Sequence, residues 1–556
     1  MRRWGLAAAV ILVLVVAVGV GALVAGGVLR AWRATPGRAG AVPHFVDETK
    51  ASGLDHTYGA SDTAMIGGGL AVLDCDNNGL PDLFIAGGAN PSALFRNASR
   101  RGGPLAFVPV TDAGTFGPNV MGAYPIDIDG DGLVDLAVLR VGEVDLMRGL
   151  GGCRFEQANQ RWSFAAPATW TTAFSATWEG AARLPTLAVG SYVGLDASGN
   201  ATYTCPDNEL FRPAADGSGY AGATSLTPGY CTLSMLFSDW NRSGRQDLRV
   251  ANDRHYYATT NGQEQLWQVL PGAAPHLYTA DEGWVSMQIW GMGIASHDLN
   301  GDGYPDVYLT SQGDNKLQTL TSGPDQPTYR DIALKRGVNS AVPFTGGDIL
   351  PSTSWDPEFT DVNNDGFADL FVSKGNIGKD PTQAQKDPSD LFLGRSDGTF
   401  SEAADAAGVL SFDRGRGATL ADLNGDGLPD LVLVSLGAPV RAWRNVGSGT
   451  ADAPAAMGHW LDVALVQPGG NRDAVGAWIE VRVSDTVQRN EVTIGGGHVG
   501  GTLGAAHFGL GAATSAEVRV QWPDGQQGAW QAAPVDGVVT VDRASGTMAV
   551  RPSAGP

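Results

Sequence analysis

The sequence predicts an all-β protein: a seven-bladed β-propeller followed by a small β-barrel or sandwich, and preceded by one transmembrane helix. Three observations lead to this fold class. An Asp-rich segment repeats about every 60 residues, short β-forming runs flank each copy, and one long uncharged apolar run lies near the N-terminus. The 77 glycines, 31 prolines and only 17% charged residues also indicate a turn-dense, β-rich chain rather than a helical one.

The repeat is the organising signal of the chain. Successive copies start 53, 112, 59, 63 and 61 residues apart, so the interval of 112 is close to two periods. The segment Trp178–Thr186 (WEGAARLPT) lies in that interval and keeps the Leu-Pro ending without the carboxylates of the pattern. Counting it gives seven units. The six other segments share D-x-[DN]-x-[DNS]-G-x-x-D, and they are Asp74–Asp82, Asp127–Asp135, Asp239–Asp247, Asp298–Asp306, Asp361–Asp369 and Asp422–Asp430.

Each segment is followed by a buried-strand pattern such as LFIA or LVLV, and most are preceded by another. A period of about 60 residues leaves room for four strands, which is one propeller blade. A second repeated phrase, present at Thr328–Val338 and Thr399–Val409, also occurs at His44–Leu54, ahead of the first Asp-rich segment. We therefore expect the N-terminal strand to complete the last blade, which removes free sheet edges.

The repeated segments are predicted to bind calcium. Oxygen-bearing side chains at positions 1, 3, 5 and 9, with Gly at position 6, suit one turn wrapped around a hard cation. An EF-hand is excluded because position 12 is apolar (Ile85 and Val138 in the first two copies) and strands flank the loops. The predicted ligands, for up to six ions, are Asp74, Asp76, Asn78, Asp82, Asp127, Asp129, Asp131, Asp135, Asp239, Asn241, Ser243, Asp247, Asp298, Asn300, Asp302, Asp306, Asp361, Asn363, Asp365, Asp369, Asp422, Asn424, Asp426 and Asp430.

The alternative is that these carboxylates only cap turns. Six copies with two to four carboxylates each would repel strongly without a cation, which favours calcium. Eighteen of the 58 Asp and Glu residues lie in these loops, so the net charge of −21 is concentrated there. That charge also argues against a nucleic acid partner, because phosphate binding needs a basic surface.

Residues Gly5–Leu29 form 25 uncharged, mostly apolar residues. As a helix they would extend roughly 37 Å, enough to cross a hydrocarbon core of about 30 Å. We therefore assign residues 1–33 to a membrane anchor and residues 34–43 to a linker. A cleaved signal peptide is the alternative. Either interpretation places the body outside the cytoplasm, periplasmic or at the cell surface, and secreted if the segment is cleaved.

The four cysteines suit an oxidising compartment. Cys205 and Cys231 flank an irregular stretch and are predicted to form a disulfide that closes a surface loop. For Cys75 and Cys153 the sequence leaves open whether they are simply buried thiols. No Cys-x-x-Cys and no Cys/His cluster is present, so the cysteines do not indicate zinc.

The loops and their strands, over residues 44–446, resemble FG-GAP/VCBS repeats, as in the propeller of integrin α subunits. After a linker at 447–458, the strand-like unit at 459–542 resembles the ASPIC/UnbV domain, and residues 543–556 are predicted to be a disordered tail. The phrases that carry the second resemblance are NRDAVGA at Asn471–Ala477, HFGLG at His507–Gly511 and WPDG at Trp522–Gly525.

Repeats followed by that domain are the arrangement of the cartilage acidic protein family and its bacterial relatives. The resemblance implies a secreted or surface protein with a binding or adhesive role. Within the C-terminal unit, His459, His498 and His507 have spacings that match no usual metal-ligand set.

The sequence favours a binding module for a glycan or a protein partner. The calcium loops occupy one propeller face, so we expect the ligand on the other. An enzyme of the lyase or dehydrogenase type is the less favoured alternative, because the densest carboxylates are assigned to calcium and no HExxH motif occurs. A periplasmic assembly scaffold is a third. The candidate ligand-face residues, whose tryptophans have an inter-blade core as their alternative position, are Asn252, Asp253, His255, Tyr256, Tyr257, Trp284, Trp290 and Trp355.

Overall fold

The computed structural model describes residues 40–62, 64–114, 116–253, 262–285 and 287–550. The predicted membrane segment Gly5–Leu29 lies outside these ranges. Within them, no helix has the length and apolar character needed to span a bilayer. The helices of the described residues are single turns, at Ala280–Glu282, Gly323–Asp325, Ala333–Arg336 and Ala404–Ala407.

The rest of the described chain is built from short β-strands. Those before residue 446 are β1 (Phe45–Asp47), β2 (Leu70–Leu73), β3 (Asp82–Ile85), β4 (Ala93–Asn97), β5 (Phe107–Pro109), β6 (Val120–Ile126), β7 (Asp135–Gly142), β8 (Asp145–Gly149), β9 (Phe155–Gln157), β10 (Thr169–Thr177), β11 (Thr186–Gly194), β12 (Asn208–Pro213), β13 (Tyr220–Leu226), β14 (Thr232–Ser238), β15 (Asp247–Asn252), β16 (Gln265–Gln268), β17 (His276–Leu277), β18 (Gly291–His297), β19 (Asp306–Ser311), β20 (Lys316–Leu320), β21 (Tyr329–Asp331), β22 (Ser354–Thr360), β23 (Asp369–Lys374), β24 (Asp390–Gly394), β25 (Phe400–Glu402), β26 (Gly415–Ala421), β27 (Asp430–Ser435) and β28 (Arg441–Asn445).

From β2 to β25 these strands pair antiparallel in chain order, in successive units of four. Each unit is named here by its first strand: β2, β6, β10, β14, β18 and β22. The last unit consists of β26, β27 and β28, and its fourth strand is β1 from the start of the described chain. In that pairing Phe45 faces Asn445 and Asp47 faces Trp443. The expectation that the N-terminal strand completes the last sheet is confirmed.

The first strands of consecutive units lie beside one another from β2 through to β26, and β26 lies beside β2. They are the most buried part of the array. Every residue of β2, β6 and β10 is buried, as is every residue of β14. Such runs read as continuously apolar or small in the sequence because both of their faces are covered. The architecture is all-β and consistent with a β-propeller.

The C-terminal region contributes two four-stranded sheets that share one hydrophobic core, with strand orders β33-β29-β36-β37 and β31-β30-β34-β35. Its strands are β29 (His459–Val466), β30 (Trp478–Val483), β31 (Thr486–Glu491), β32 (Gly501–Thr502), β33 (Ala506–Gly511), β34 (Ala516–Gln521), β35 (Gln531–Ala533), β36 (Gly537–Asp542) and β37 (Thr547–Val550). The presence of β37 corrects the expectation of a disordered tail from residue 543, because Thr547–Val550 pairs with β36 as an edge strand. Residues 551–556 lie outside the described ranges.

Residues 494–502, called the central segment below, run through the space between the first strands. A Cβ added at Gly500 would stand 2.2 Å from the Leu70 carbonyl oxygen, which explains why this segment is rich in glycine. The segment meets six of the seven first strands, through Ala176–Ile494, Leu236–Gly495, Ile294–Gly497, Asp356–His498, Ala123–Gly500 and Ala71–Gly501.

Candidate metal sites in the repeated loops

Each of the six Asp-rich segments forms the loop between the first and second strands of a unit. They are called the acidic loops below. The Asp at position 9 is in every case the first residue of the second strand, as Asp82 is of β3 and Asp430 of β27. The repeat in the sequence therefore corresponds to a repeat in structure, with each loop held at both ends by paired strands.

The backbone of the six loops is the same at two positions. Position 6 is always a glycine with positive φ, between 78° and 94°. Position 4 also has positive φ in every loop, a feature that the sequence analysis did not predict. The signal was present, because Asn and Gly dominate position 4 and both tolerate the left-handed region. The position-4 residues are Asn77, Gly130, Arg242, Gly301, Asn364 and Gly425.

The position-1 carboxylate organises each turn. Its Oδ2 accepts the backbone N–H of the position-6 glycine at 2.7–3.0 Å in all six loops. In the loop of Asp127, Oδ1 also accepts the N–H of Gly130 at 2.8 Å. The carboxylates therefore do cap turns, as the alternative interpretation held. Capping and metal binding are compatible, since a carboxylate has about four lone-pair directions.

The position-9 carboxylate ties the loop to the sheet. Asp135 accepts the N–H of Ile128 at 2.8 Å through Oδ2 and the N–H of Gly149 at 2.7 Å through Oδ1. The same two links recur at Asp82, Asp369 and Asp430. In the loop of Asp247, the Trp240 indole N–H and the Tyr278 hydroxyl donate to Oδ2 in place of a loop N–H, while the N–H of Val269 donates to Oδ1 at 3.3 Å.

Two acidic loops bring three carboxylates within reach of one ion. Oxygens of Asp74, Asp76 and Asp82 lie within 4.8 Å of one another, and so do oxygens of the second set, Asp127, Asp129 and Asp135. Calcium–oxygen distances are about 2.3–2.6 Å, so two oxygens on one ion are at most about 5 Å apart. Both sets meet that limit.

Arginine side chains form ion pairs with two of the acidic loops. Arg148 places Nε 2.9 Å from Asp129 Oδ2 and Nη2 2.5 Å from Asp131 Oδ2. Arg489, from β31, places Nη1 2.9 Å from Asp298 Oδ2. Asp129 and Asp298 each keep one buried oxygen, Oδ1, without a hydrogen-bond partner.

Burial perturbs these carboxylates strongly. It raises the pKa of Asp82 to about 7, that of Asp127 to about 7 and that of Asp135 to about 8. The loops of Asp361 and Asp422 follow the same rule, with the pKa of each position-1 group raised to about 7 by burial and then by the neighbouring Asp365 or Asp426. Without a cation these sites favour protonation at neutral pH.

The segment Trp178–Thr186, called the silent loop below, joins β10 to β11 and so occupies the same place in its unit. Thr186 Oγ1 donates to Glu179 Oε1 at 2.8 Å, and Arg212 Nε donates to the same oxygen at 2.7 Å. Arg212 also donates to the carbonyls of Ala273 and Leu270. In this turn the Glu179–Arg212 ion pair takes the place of the hydrogen bonds between aspartates and backbone amides that the other units have.

All four cysteines are paired. Cys205–Cys231 closes the stretch that contains β12 and β13. Cys75–Cys153 joins the loop that follows β2 to the turn between β8 and β9, and so connects two adjacent units. The sequence left this second pair open because its partners are 78 residues apart. Cys75 Sγ lies 2.9 Å from Asp82 Oδ2, which places the disulfide beside an acidic loop.

The candidate ligand-face residues do not form one exposed surface. Asn252, Asp253, Trp284 and Trp355 are buried, and Trp290 alone among the described candidates is exposed, at 37%. Trp284 packs on the guanidinium of Arg249, and Trp355 lies against Arg416 and His498. For these two tryptophans the core alternative describes the structure better. Residues 255–257 lie outside the described ranges.

The C-terminal region covers the acidic-loop face. His507 Nε2 lies 2.8 Å from Asn364 Oδ1, and Glu491 Oε1 accepts the N–H of Asp239 at 2.7 Å. Arg242 Nη2 donates to Glu480 Oε1 at 2.9 Å. The three histidines of this region are separated in space by their partners: His459 pairs with Asp536, His507 with Asp462, and His498 lies in the central segment.

The comparisons with known proteins match both parts of this architecture. The FG-GAP-like repeat family matches residues 74–138, 298–372 and 361–433, which contain five of the acidic loops. The family described as ASPIC and UnbV matches residues 467–547. The chain carries FG-GAP-like repeats followed by an ASPIC/UnbV domain.

Cartilage acidic protein 1 from Homo sapiens is 27% identical over 242 residues, covering 42% of this chain and 33% of that protein. The Mus musculus protein of the same name is 26% identical over 241 residues, covering 42% of this chain and 34% of its own length. The match thus spans about a third of either relative.

Solved structures give weaker likenesses. A chain from a complex of BBS1N with ARL6DN has a TM-score of 0.42 and 9% identity, covering 74% of this chain and 99% of that chain. An Agrocybe aegerita lectin that recognises non-reducing terminal N-acetylglucosamine has a TM-score of 0.29 and 16% identity, covering 68% of this chain and 80% of that chain. At these scores the likenesses say nothing about what this chain binds.

Proposed function

We propose that the FG-GAP-like units form a closed seven-bladed propeller that binds calcium in its acidic loops and serves as a binding or adhesion module outside the cytoplasm. The observation that carries the proposal is the repeated loop, which brings three carboxylates within 4.8 Å of one another in two copies. Closure is supported by the circle of neighbouring first strands and by the β1–β28 pair.

Calcium would be held first by the two compact sets, Asp74, Asp76 and Asp82, and Asp127, Asp129 and Asp135. The four other loops have the same positive-φ residues at positions 4 and 6. The proposal therefore extends to as many as six ions. Bound calcium supplies positive charge to buried carboxylates and so stiffens the turn between two inner strands. The silent loop would take no ion.

The partner, a glycan or a protein, would meet the face opposite to the acidic loops, because the ASPIC/UnbV domain occupies the acidic-loop side. Trp290, which is exposed and precedes β18, is the retained aromatic candidate on that surface. The domain boundaries of the proposal are 1–33 for the anchor, 44–446 for the propeller and 459–550 for the C-terminal domain, which includes β37.

Location outside the cytoplasm is supported by the apolar N-terminal segment and by two disulfides, which persist in oxidising compartments. A reporter fused after Pro556 should be active only outside the cytoplasm. Activity restricted to the cytoplasm would contradict the proposed location.

Calorimetric titration of the chelator-treated full chain with calcium tests the metal proposal. Saturable binding of several ions is expected, with one ion fewer in Asp129→Ala and no change in Glu179→Ala of the silent loop. Equal stoichiometry in all three proteins, or no binding, would refute the proposal. A glycan array probed in calcium and in chelator then tests the class of partner.

A further inference from the structure

A fully buried lysine lies at the end of β23, the second strand of the β22 unit. Lys374 Nζ lies 3.0 Å from Asp390 Oδ1 and 3.3 Å from Asp387 Oδ1. The side chain of the lysine is 0% exposed, and those of the two aspartates are each 1% exposed. Because β23 begins at the acidic loop and ends at Lys374, this cluster is separate from the proposed calcium site of its unit.

Other donors hold the two aspartates in place. Asp387 accepts the hydroxyl of Ser352 at 2.8 Å through Oδ1 and the N–H of Thr353 at 2.7 Å through Oδ2. Asp390 accepts the hydroxyl of Ser340 through Oδ2, and its Oδ1 faces the ammonium. Asp390 is therefore both the nearer of the two carboxylates to the lysine and the one that backbone and hydroxyl donors hold less firmly.

With all three groups ionised, the cluster has one more negative charge than positive. Burial raises the pKa of Asp387 and that of Asp390 against the opposing charge of Lys374. Burial lowers the pKa of Lys374, but the two carboxylates outweigh it and hold the pKa above its usual value. Ions buried away from water keep a desolvation cost, so a reaction that removes one charge of each sign relieves that cost.

We propose that Lys374 and Asp390 form an amide bond, an intramolecular isopeptide cross-link between β23 and β24, and that Asp387 transfers the proton. The ammonium passes one proton to the Asp390 carboxylate, and the neutral amine attacks Cγ of the resulting acid. Asp387 carries a second proton from the nitrogen to the hydroxyl that leaves. One C–N bond forms, one C–O bond breaks, one water molecule is released, and Asp387 is ionised again.

The arrangement meets the geometric requirements of this reaction. Reacting groups in a productive geometry lie about 3–3.5 Å apart. Lys374 Nζ already lies 3.0 Å from an oxygen of the carboxyl group that it would attack. The pairing of Val372 with Asp390 holds the two strands in this register. Burial also favours the amide, because water is both the product of the reaction and the agent of hydrolysis.

The other units show that side chains of the second and third strands meet at this position. Lys374 comes five residues after the position-9 aspartate, and the same position in the β6 unit is Arg140, whose Nη1 lies 2.7 Å from Asp145 Oδ2. Asp145 and Asp390 each begin the third strand of their unit. A guanidinium does not lose its proton in proteins, so the β6 pair stays an ion pair. The residues at this position in the remaining units are Gly87, Ser191, Asn252, Ser311 and Ser435. Of the seven units, only the β22 unit combines an amine with a carboxyl group here.

Intact-mass spectrometry of the purified full chain, with tryptic peptide mapping, tests the cross-link. We expect a mass one water molecule below that of the disulfide-bonded sequence, and a branched peptide in which Lys374 is joined to Asp390. Lys374→Arg, which gives the β22 unit the ion pair of the β6 unit, should restore the missing water. Lys316→Arg is the matched control, because Lys316 Nζ lies 3.3 Å from Asp331 Oδ2 in a more exposed pair. It should leave the mass deficit unchanged.

Asp387→Asn tests the proton transfer. It keeps the size of the side chain, and it should slow formation of the amide about tenfold or more, seen as a smaller cross-linked fraction in freshly expressed protein. An unchanged fraction would overturn the role of Asp387. A parent protein without the branched peptide, or with Lys374 joined to Asp387 instead, would overturn the proposal. That measurement needs no variant to fold, and it does not depend on whether the acidic loops bind calcium.

Discussion

The silent loop and the acidic loop of Asp127 do the same structural work with different chemistry. Both join the first and second strands of a unit. In the acidic loop, Asp127 and Asp135 accept backbone N–H groups, and the turn keeps an excess of negative charge. In the silent loop, Arg212 neutralises Glu179 and Thr186 donates to the same oxygen. Both turns therefore depend on hydrogen-bond acceptors. Only the acidic loop has an excess of negative charge, which a bound cation would balance.

The backbone of the two loops also differs. The acidic loop has positive φ at Gly130 and Gly132, which turns the amides of the loop toward Asp127. In the silent loop positive φ occurs at Gly180 instead, at position 3, where the other loops have a ligand side chain. The silent loop has neither the aspartates of the repeated pattern nor the turn that presents them.

Removing calcium should have the largest effect of the changes proposed here, and it should affect the acidic loops but not the silent loop. A ligand at 100 times its dissociation constant stabilises the folded state by about 2.7 kcal/mol per site, so several filled sites produce a large drop in Tm on chelation. Hydrogen exchange should rise at residues 127–135 and stay unchanged at 178–186. Differential scanning calorimetry with exchange mass spectrometry checks this, with magnesium as the control. An unchanged Tm, or equal loss of protection in both loops, would contradict it.

The loss of stability with rising pH should be larger in chelator than with calcium. In chelator, the folded pKa values of about 7 for Asp82 and about 8 for Asp135 exceed those of the unfolded chain, near 4. The free energy of unfolding that these two carboxyl groups contribute is then fully present below pH 4. It is lost as the pH rises to 8, by about 1.4 kcal/mol per pH unit for each proton that the folded state binds in excess. Calcium, which needs ionised carboxylates, should oppose this loss.

Thermal unfolding at several pH values measures that slope. Asp135→Asn should flatten it in chelator, and Thr186→Val in the silent loop should leave it as in the parent. A Tm that rises from pH 5 to pH 8 in chelator would show that these aspartates are not buried as described.

Single substitutions at position 9 should have unequal effects. Asp135→Ala leaves the buried N–H groups of Ile128 and Gly149 without acceptors, which costs about 1–3 kcal/mol each. Thr186→Val removes one hydrogen bond, worth about 1 kcal/mol. Denaturant titration in chelator gives both values, with the more exposed Asp131→Ala as the control. Equal losses at the two positions would remove the distinction between the loops.

The smallest expected effect comes from the arginines. Arg148→Met removes the built-in cation from Asp129 and Asp131, so calcium should bind that loop about three- to tenfold more tightly. Arg212→Met removes the partner of Glu179 and should leave the number of bound ions unchanged. Calorimetric titration distinguishes the two. Weaker calcium binding in Arg148→Met would show that the guanidinium supports the site rather than competing with it.

The parts of the fold that repeat were predictable from the sequence. The pattern fixes positions 1, 6 and 9, and the structure places them at the same turn in six units, because each residue type has one local role there. The strand Phe45–Asp47 was predictable for the same reason, since its phrase recurs ahead of later units.

Features that depend on distant partners were not predictable. The Cys75–Cys153 pair connects two units, and the burial of Trp355 depends on Arg416 and His498. The position of the central segment was not predictable either, because nothing local to its glycines shows that six other strands surround them. An aromatic residue beside a strand can pack in a core or bind a ligand, and only its neighbours decide.

The central segment has a consequence for biosynthesis. Gly501 pairs with Ala71, about 430 residues earlier in the chain, so the innermost contact of the protein joins one of its earliest strands to one of its last. The N-terminal units leave the ribosome long before residues 494–502 exist, and their first strands then lack their final neighbour. Contacts between residues so far apart in the sequence form late and slowly. A chain that ends before residue 494 would therefore lack these contacts, and the surface that this segment covers on the first strands would stay exposed.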